Sequence, residues 1–137
     1  MAYEETLASV PLFSRLERSD LARLGKVVVP RKYPKGETIV QEGEQAVAFY
    51  VVVSGKVAVT KGGKTLNTMK PGGFFGDMAL LDGYPRSASV SAVEDTECLV
   101  MTRWDFTAEL RTNPTIALAM LPVLCKRIRE LEGEEVR

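Results

Sequence analysis

The chain has 137 residues, of which 45% are hydrophobic and 26% charged, as in a single soluble globular domain. Lys and Arg together number 18, as do Asp and Glu, so the chain lacks the basic excess typical of nucleic-acid-binding domains. The absence of histidine removes the commonest general base and metal ligand, which argues against a metal-dependent enzyme built on a β-barrel. We therefore expect no enzyme activity, no metal, no cofactor and no direct contact with nucleic acid.

The two cysteines, Cys98 and Cys125, lie in apolar runs and do not form a CxxC pair. We expect both to be buried thiols rather than a disulfide, as in a reducing compartment. The N-terminal segment MAYEETLASV lacks a signal-type apolar run, and no segment approaches the roughly 20 apolar residues of a membrane span. These features predict a cytoplasmic protein without a membrane partner.

The first 25 residues carry apolar side chains at helical spacing, with Ser19 or Asp20 as a candidate N-cap before Leu21. From residue 26 the pattern changes to short apolar runs separated by turn residues, which predicts an all-β sandwich or barrel over 26–102. The predicted strands are 27–29, 38–40, 48–53, 57–60, 65–69, 87–93 and 96–102. Between two of them, the sequence KGGK at 61–64 predicts a two-residue hairpin turn.

Helical spacing returns over 103–132. A short helix is predicted at 104–110, and Asn113 is expected to cap a longer helix that begins at Pro114 and runs to about residue 132. Apolar residues of this longer helix alternate in spacings of four and three, as in a two-helix seam, so we expect a homodimer through it. The alternative is a helix packed wholly on its own domain. The seam consists of Ala117, Leu121, Leu124, Ile128 and Leu131.

The stretch FFGDMALLDGYPRSASV, residues 74–90, places a single arginine, Arg86, among glycines, small residues and apolar residues. An unpaired arginine in such surroundings is costly, so a partner is expected. Its guanidinium is a fork of donors suited to a phosphate, and the hydroxyl of Ser87 adds another donor. The residues alone leave open a purely structural pairing of Arg86 with Asp77 or Asp82.

The segment that precedes Arg86 has the features of an anion cradle. Gly72, Gly73 and Gly76 permit a close approach of the backbone to a ligand. Residues 77–80 can form one helical turn, whose free N–H groups would point at an anion. Asp77 would repel a phosphate, but it could accept hydrogen bonds from sugar hydroxyls beside one. The chemistry of this segment therefore favours a sugar phosphate with an apolar pocket for its base.

The strings FGDMALL at 75–81 and PRSA at 85–88 resemble the phosphate-binding cassette of the cyclic nucleotide-binding domain family. That cassette reads roughly F-G-E-apolar-A-L-L, a short spacer, then P-R-(A/S/T)-A. The strings YPKGETI, FYVVVSG and KPGGF resemble other landmarks of the family, and the helix with KRIR resembles that of bacterial Crp–Fnr type regulators. The resemblance covers about residues 10–132. It implies one domain over 1–137, with a jelly-roll-like eight-stranded β-barrel flanked by N-terminal helices and a long C-terminal helix.

The resemblance also implies roles for individual residues in binding a cyclic mononucleotide. Arg86 would hold the phosphate oxygens, and Gly76 with Asp77 would meet the ribose 2′-hydroxyl. Residues expected to complete the phosphate shell are Met78, Ala79, Ser87 and Ala88. Residues expected to line the base or to cover it from the last helix are Leu66, Met69, Arg129, Leu131 and Glu132.

Asp77 departs from the family's pattern, which usually has Glu at this position. Asp is shorter by one methylene, about 1.5 Å of reach, so the ribose contact is expected to be longer or water-mediated. We expect a signal-sensing module that favours cAMP over cGMP, with a cyclic dinucleotide as a weaker candidate, and whose last helix moves on binding. The alternative is an interaction or dimerisation domain that no longer binds nucleotide. Crp–Fnr regulators continue into a helix-turn-helix domain, so we expect either a stand-alone sensing domain or a fragment of a longer regulator.

Overall fold

The computed structural model describes residues 3–133. Their elements fall into two compact groups: a helical group, with described residues in 3–27 and 107–133, and a strand group over 28–106. No helix within residues 3–133 is both long enough and apolar enough to cross a membrane. In chain order, the elements are α1 (Glu4–Ala8), a 3₁₀ turn (Pro11–Phe13), α2 (Arg18–Gly25), β1 (Val29–Tyr33), β2 (Thr38–Val40), β3 (Ala48–Ser54), β4 (Val57–Lys61), β5 (Lys64–Met69), β6 (Phe74–Phe75), α3 (Ala79–Asp82), β7 (Ser89–Ala92), β8 (Thr96–Thr102), α4 (Arg103–Thr112) and α5 (Thr115–Leu131).

The eight strands form two four-stranded sheets, and every pairing in them is antiparallel. One sheet has the order β1-β8-β3-β6 and the other β2-β7-β4-β5. The chain crosses from one sheet to the other several times, and two antiparallel sheets connected in this way form a jelly roll. The predicted fold class is confirmed, and the strands form two sheets of a sandwich instead of one closed barrel.

The core of the strand group takes side chains from both sheets, as a sandwich requires. Within β3, Val51 and Val52 are both buried, so the apolar run at 50–53 is covered on both faces. Cys98 is also buried, and burial raises the pKa of its thiol to about 11, so it stays protonated at neutral pH. The buried members of this core cluster are Val40, Val52, Val57, Phe75, Val90 and Cys98.

One predicted strand is displaced, and one strand was not predicted. The first strand was predicted over 27–29, whereas β1 spans Val29–Tyr33 and includes Pro30. Because β1 lies at an edge of its sheet, a proline is tolerated there, and its mostly exposed side chains lack an apolar signal. The strand β6 was not predicted, because a run of only two residues is too short to show any periodicity. The predicted hairpin is present, since Lys61 pairs with Lys64 across the two-residue turn.

Three predictions about the helical group are wrong. The N-cap position of α2 is Glu17, and Asp20 instead lies buried and pairs with Arg23, Nη1 to Oδ1 3.1 Å. The N-cap position of α5 is Pro114, and the side-chain Nδ2 of Asn113 donates to Glu109 Oε2 at 3.2 Å. In both cases the predicted capping side chain bonds to a charged residue one turn away in the chain and makes no capping bond. The third error is Cys125, which is exposed on α5.

We expect Gly55→Ala to lower the free energy of unfolding by at least about 3 kcal/mol. Gly55 has φ +87°, and an added Cβ would lie 2.6 Å from the Cα of Thr96, against backbone that cannot move aside. The matched control is Gly36→Ala, where φ is +92° and nothing lies within 4 Å. That control should cost only about 1–2 kcal/mol for the left-handed conformation. Urea unfolding measures both, and equal losses would contradict this account.

Candidate functional site

A cavity of about 300 Å³ opens in the strand group beside the segment 76–88. One wall is polar and comes from that segment. The other wall is apolar and comes from strands of both sheets. The lining residues are Val40, Ala46, Val59, Met69, Phe75, Gly76, Asp77, Met78, Ala79, Asp82, Tyr84, Pro85, Arg86, Ser87, Ala88 and Val90.

The backbone of Arg86 is fixed by the loop between β2 and β3. Its N–H donates to the carbonyl of Glu44 at 2.7 Å, and its carbonyl accepts from the N–H of Gly43 at 2.8 Å. A neighbouring bridge pairs Gln45 with Pro85. Because this loop satisfies both the N–H and the carbonyl of Arg86, the backbone from which its side chain extends has a defined position at the cavity.

The guanidinium of Arg86 contacts two residues of β3. Nη2 donates to the carbonyl of Ala48 at 2.6 Å, and Cζ lies 5.7 Å from the centroid of the Tyr50 ring. Both partners are uncharged: one is a backbone carbonyl and the other an aromatic ring. The side chain is half-buried and lines the cavity.

The electrostatic state of Arg86 follows from these surroundings. Burial lowers the pKa of its guanidinium, and the smaller contribution of Tyr50 acts in the opposite direction. A dominant carboxylate partner would raise the pKa of an arginine. The lowered pKa therefore indicates that the loss of hydration of the guanidinium outweighs its attraction to favourable charges nearby. Such a group gains stability when an anion arrives.

Gly76 makes room for this guanidinium. Its φ is +82°, and a Cβ at this position would lie 2.8 Å from the carbonyl oxygen of Ala48 and would overlap Nη1 of Arg86. Glycine is therefore required here by the close packing of the arginine as well as by the backbone conformation.

The segment after Gly76 forms the predicted helical turn, although the helix proper is α3, which starts two residues later than predicted. The N–H of Ala79 donates to the carbonyl of Gly76 at 3.0 Å, and that of Leu80 donates to the carbonyl of Asp77 at 3.3 Å. These bonds close the turn at the mouth of the cavity. The turn ends at Gly83, in the left-handed conformation.

The structure brings together most of the residues predicted for the site. Asp77 is half-buried at the cavity, while Ser87 is exposed at its rim. Leu66 is 60% exposed on β5 and lies outside the lining. Arg129 and Leu131 are exposed on α5, in the helical group, and their role as a lid stays a prediction. Predicted residues found in the lining are Met69, Gly76, Asp77, Met78, Ala79, Arg86, Ser87 and Ala88.

Sequence reasoning missed Tyr50 and the carbonyl of Ala48. Tyr50 was assigned only to the predicted strand 48–53, and a carbonyl has no sequence signal of its own. Sequence reasoning also missed three valines of the apolar wall in β2, β4 and β7, because a short apolar run predicts a strand but not a cavity beside it. They are Val40, Val59 and Val90.

The fold and the site together define a jelly-roll module with a cavity that carries one guanidinium opposite an apolar wall. The family model described as cyclic nucleotide-binding domain matches residues 30–113. The chain therefore belongs to the cyclic nucleotide-binding domain family, and the resemblance drawn from residues 74–90 is confirmed.

Curated relatives include two bacterial regulators. The chain is 40% identical to the cyclic AMP receptor protein of Thermus thermophilus, over 90% of this chain and 60% of that protein. It is 31% identical to a CRP-like cAMP-activated global transcriptional regulator of Mycobacterium tuberculosis, over 92% of this chain and 58% of that protein. The chain thus spans about 60% of the length of these relatives.

Solved structures share the fold. The N-terminal domain of a transcriptional regulator from Streptomyces coelicolor superposes with a TM-score of 0.86 at 26% identity, covering 96% of this chain and 99% of that one. The catabolite activator protein of Thermus thermophilus superposes with a TM-score of 0.72 at 39% identity, covering 89% of this chain and 60% of that one.

We expect Arg86→Met to leave the free energy of unfolding, without any ligand, within about 1 kcal/mol of the wild-type value. The removed cation is half-buried between uncharged partners, so the lost contacts are offset by the desolvation that is avoided. Urea unfolding of both proteins tests this. A loss of about 3–5 kcal/mol would instead be the sign of a broken buried ion pair, and would make Arg86 a structural residue.

Proposed function

We propose that this chain is a signal-sensing module that binds a cyclic mononucleotide, with cAMP favoured over cGMP. The observation that carries the proposal is the guanidinium of Arg86, held at the cavity by the carbonyl of Ala48 and the ring of Tyr50. Neither partner offsets its charge fully, and its lowered pKa reflects that deficit. An anionic group in the cavity would supply what is missing.

The charges at the cavity favour a singly charged phosphate. Among the described residues, Arg86 is the one cationic side chain in the lining, where Asp77 and Asp82 also occur. A phosphomonoester carries close to two negative charges at neutral pH, so its second charge would meet carboxylates. A cyclic phosphodiester carries one charge and matches the single guanidinium, which can donate two parallel bonds to it.

The shape of the cavity suits the rest of a nucleotide. A volume of about 300 Å³ lies at the lower end of the range for small-molecule sites. Val59, Met69 and Val90 supply an apolar wall for a flat base. In this proposal Asp77 and Gly76 meet the ribose 2′-hydroxyl, directly or through a water.

The remaining contacts follow the family's pattern. Ser87 and Ala88 would complete the phosphate shell together with the backbone at Met78 and Ala79. The N–H of Ala79 already closes the α3 turn, so a phosphate at this position would share that donor or displace its bond to Gly76.

The choice of cAMP rests on the relatives. The two bacterial regulators are named for cAMP, and several further relatives are named regulatory subunits of the cAMP-dependent protein kinase. None of these names denotes a catalytic protein, so we infer a regulatory role without an enzyme activity. The bacterial names also favour transcription regulation as the output.

The structure suggests how binding could be transmitted. The strand β8 ends at Thr102, and α4 begins at Arg103 without an intervening linker. The N–H of Arg103 donates to the carbonyl of Val47, next to the carbonyl that accepts from Arg86. We propose that a nucleotide shifts the conformation of the C-terminal helices through this junction. It can do so only to the extent that its affinity differs between the two conformations.

We expect calorimetric titration of the wild-type chain to show micromolar or tighter binding of cAMP, and weaker binding of cGMP. Arg86→Ala should weaken binding by at least about a hundredfold, because two charge-assisted hydrogen bonds are lost. The control is Arg111→Ala, which removes the same charge from an exposed position on α4 and should bind like the wild type.

Each other outcome has a definite meaning. Unchanged affinity in Arg86→Ala would show that the site lies elsewhere. No binding of either nucleotide by the wild type would favour an interaction domain that has lost its ligand. In that case Asp77→Glu is the next variant, because restored binding would attribute the loss to the shorter carboxylate.

We further propose that the chain forms a homodimer through α5. Ile116 and Met120 are buried, whereas Leu121, Ile128 and Leu131 of the predicted seam are 54%, 55% and 82% exposed. An apolar stripe of this kind on an exposed helix is a common sign of an interface. The seam residues Ala117 and Leu124 are half-buried. Leu118, which was not assigned to the seam, is exposed and adds to the exposed apolar row.

We expect Leu121→Glu to convert a dimer into a monomer, because two like charges would face each other across the seam. Analytical sedimentation with and without cAMP measures this, and Ala108→Glu on the exposed face of α4 is the control. A wild-type chain that remains monomeric at high concentration in both conditions would refute the dimer.

A further inference from the structure

Tyr50 lies against the guanidinium of Arg86 at a distance typical of a cation–π contact. The Cζ atom is 5.7 Å from the ring centroid, inside the limit of about 6 Å for such contacts. Tyr50 is on β3, the strand whose Ala48 carbonyl accepts from the same guanidinium at 2.6 Å. The strand β3 therefore contacts the guanidinium of Arg86 in two ways, by a hydrogen bond to one nitrogen and by an aromatic ring.

The Tyr50 ring is itself held in place. It stacks on Phe75 with centroids 4.8 Å apart and planes only 10° from parallel. The two residues are directly paired where β3 and β6 run antiparallel. Both rings contact the core cluster, of which Phe75 is a buried member. The platform under the guanidinium thus continues into the sandwich core.

The contact also affects the ionisation of both groups. Burial is the main cause that raises the pKa of Tyr50, and Arg86 acts against it. Tyr50 in turn opposes the lowering of the Arg86 pKa by burial. These two effects are the mutual attraction of the cation and the ionised phenolate, whereas the raised pKa of Tyr50 keeps its phenol neutral at neutral pH, so the contact that remains there is the one between the guanidinium and the ring.

We propose that Tyr50 is a positioning residue for Arg86: its ring face holds the guanidinium plane in place, so that little ordering remains when a phosphate binds. The inference rests on the proposed function. The required feature is the aromatic face, because the position of Cζ relative to the ring defines the contact, and the phenolic hydroxyl is not needed for it.

Two substitutions separate the ring from the hydroxyl. Tyr50→Phe keeps the ring and should bind cAMP within about twofold of the wild type, since a phenyl face also attracts a cation. Tyr50→Leu removes the ring and should weaken binding by about three- to thirtyfold. Tyr50→Met is the second variant if Tyr50→Leu does not fold, because methionine adapts to irregular spaces in cores. Calorimetry gives the affinities.

A matched control and a double-mutant cycle exclude a general packing effect. Tyr33→Leu makes the same change at another tyrosine that packs on the same core cluster, and it should leave the affinity unchanged. In an Arg86→Lys background, Tyr50→Leu should have a smaller effect than in the wild type, because the planar guanidinium is gone.

The outcomes distinguish this inference from the proposed function. Wild-type binding with unchanged affinity in Tyr50→Leu would overturn the positioning role and leave the function intact. Equal losses in Tyr50→Phe and Tyr50→Leu would assign the effect to the hydroxyl, and additive losses with Arg86→Lys would assign it to packing. Either result would overturn the inference. No nucleotide binding by the wild type would overturn both proposals.

Discussion

The half-buried guanidinium of Arg86 is the constraint on which the rest of the site depends. A cation at this depth is stable only if its donors and its charge are both accommodated. The fold supplies a carbonyl from Ala48, a ring from Tyr50, and backbone bonds to Gly43 and Glu44. None of these partners carries a full negative charge at the point of contact. The protein therefore fixes the position of the cation while leaving its charge incompletely balanced.

The jelly roll explains how the short segment 76–88 can place a half-buried cation at the cavity. In the order β1-β8-β3-β6, the strand β3 lies between β8 and β6, so its backbone is held on both sides. The segment that contains Arg86 connects β6 to β7, which belong to different sheets. It therefore crosses the end of the sandwich, where a polar turn can face the inner apolar surface. A ligand bound only by the folded sandwich would also stabilise it, by an amount that grows with the logarithm of the ligand concentration once that exceeds the Kd.

The sequence predicted the elements whose signals are local. Seven of the strands, the hairpin at 61–64 and the turn that contains α3 were recognisable from apolar runs and glycines, and the cassette from its motif. The strand β6 was too short to show a period, and β1 was displaced because an edge strand has little apolar pattern. Asn113 does not cap α5, and its side-chain Nδ2 instead donates to Glu109, one turn earlier. Tyr50 was missed because β4, β5, β6 and α3 separate it from Arg86 in the chain, and no local pattern predicts a contact over that separation.

The acidic residues at the cavity have a consistent place in the proposed function. If Arg86 were accompanied by further cations, the site would attract any nucleotide, and the more highly charged ones would bind best. With Asp77 and Asp82 in the lining, each additional negative charge on a ligand meets repulsion that a single guanidinium cannot offset. The same Asp77 can accept from a ribose hydroxyl, so one carboxylate would both favour the sugar and disfavour a dianionic phosphate. The incompletely balanced charge of Arg86 would then favour the binding of an anion, and the two carboxylates would favour an anion with a single negative charge.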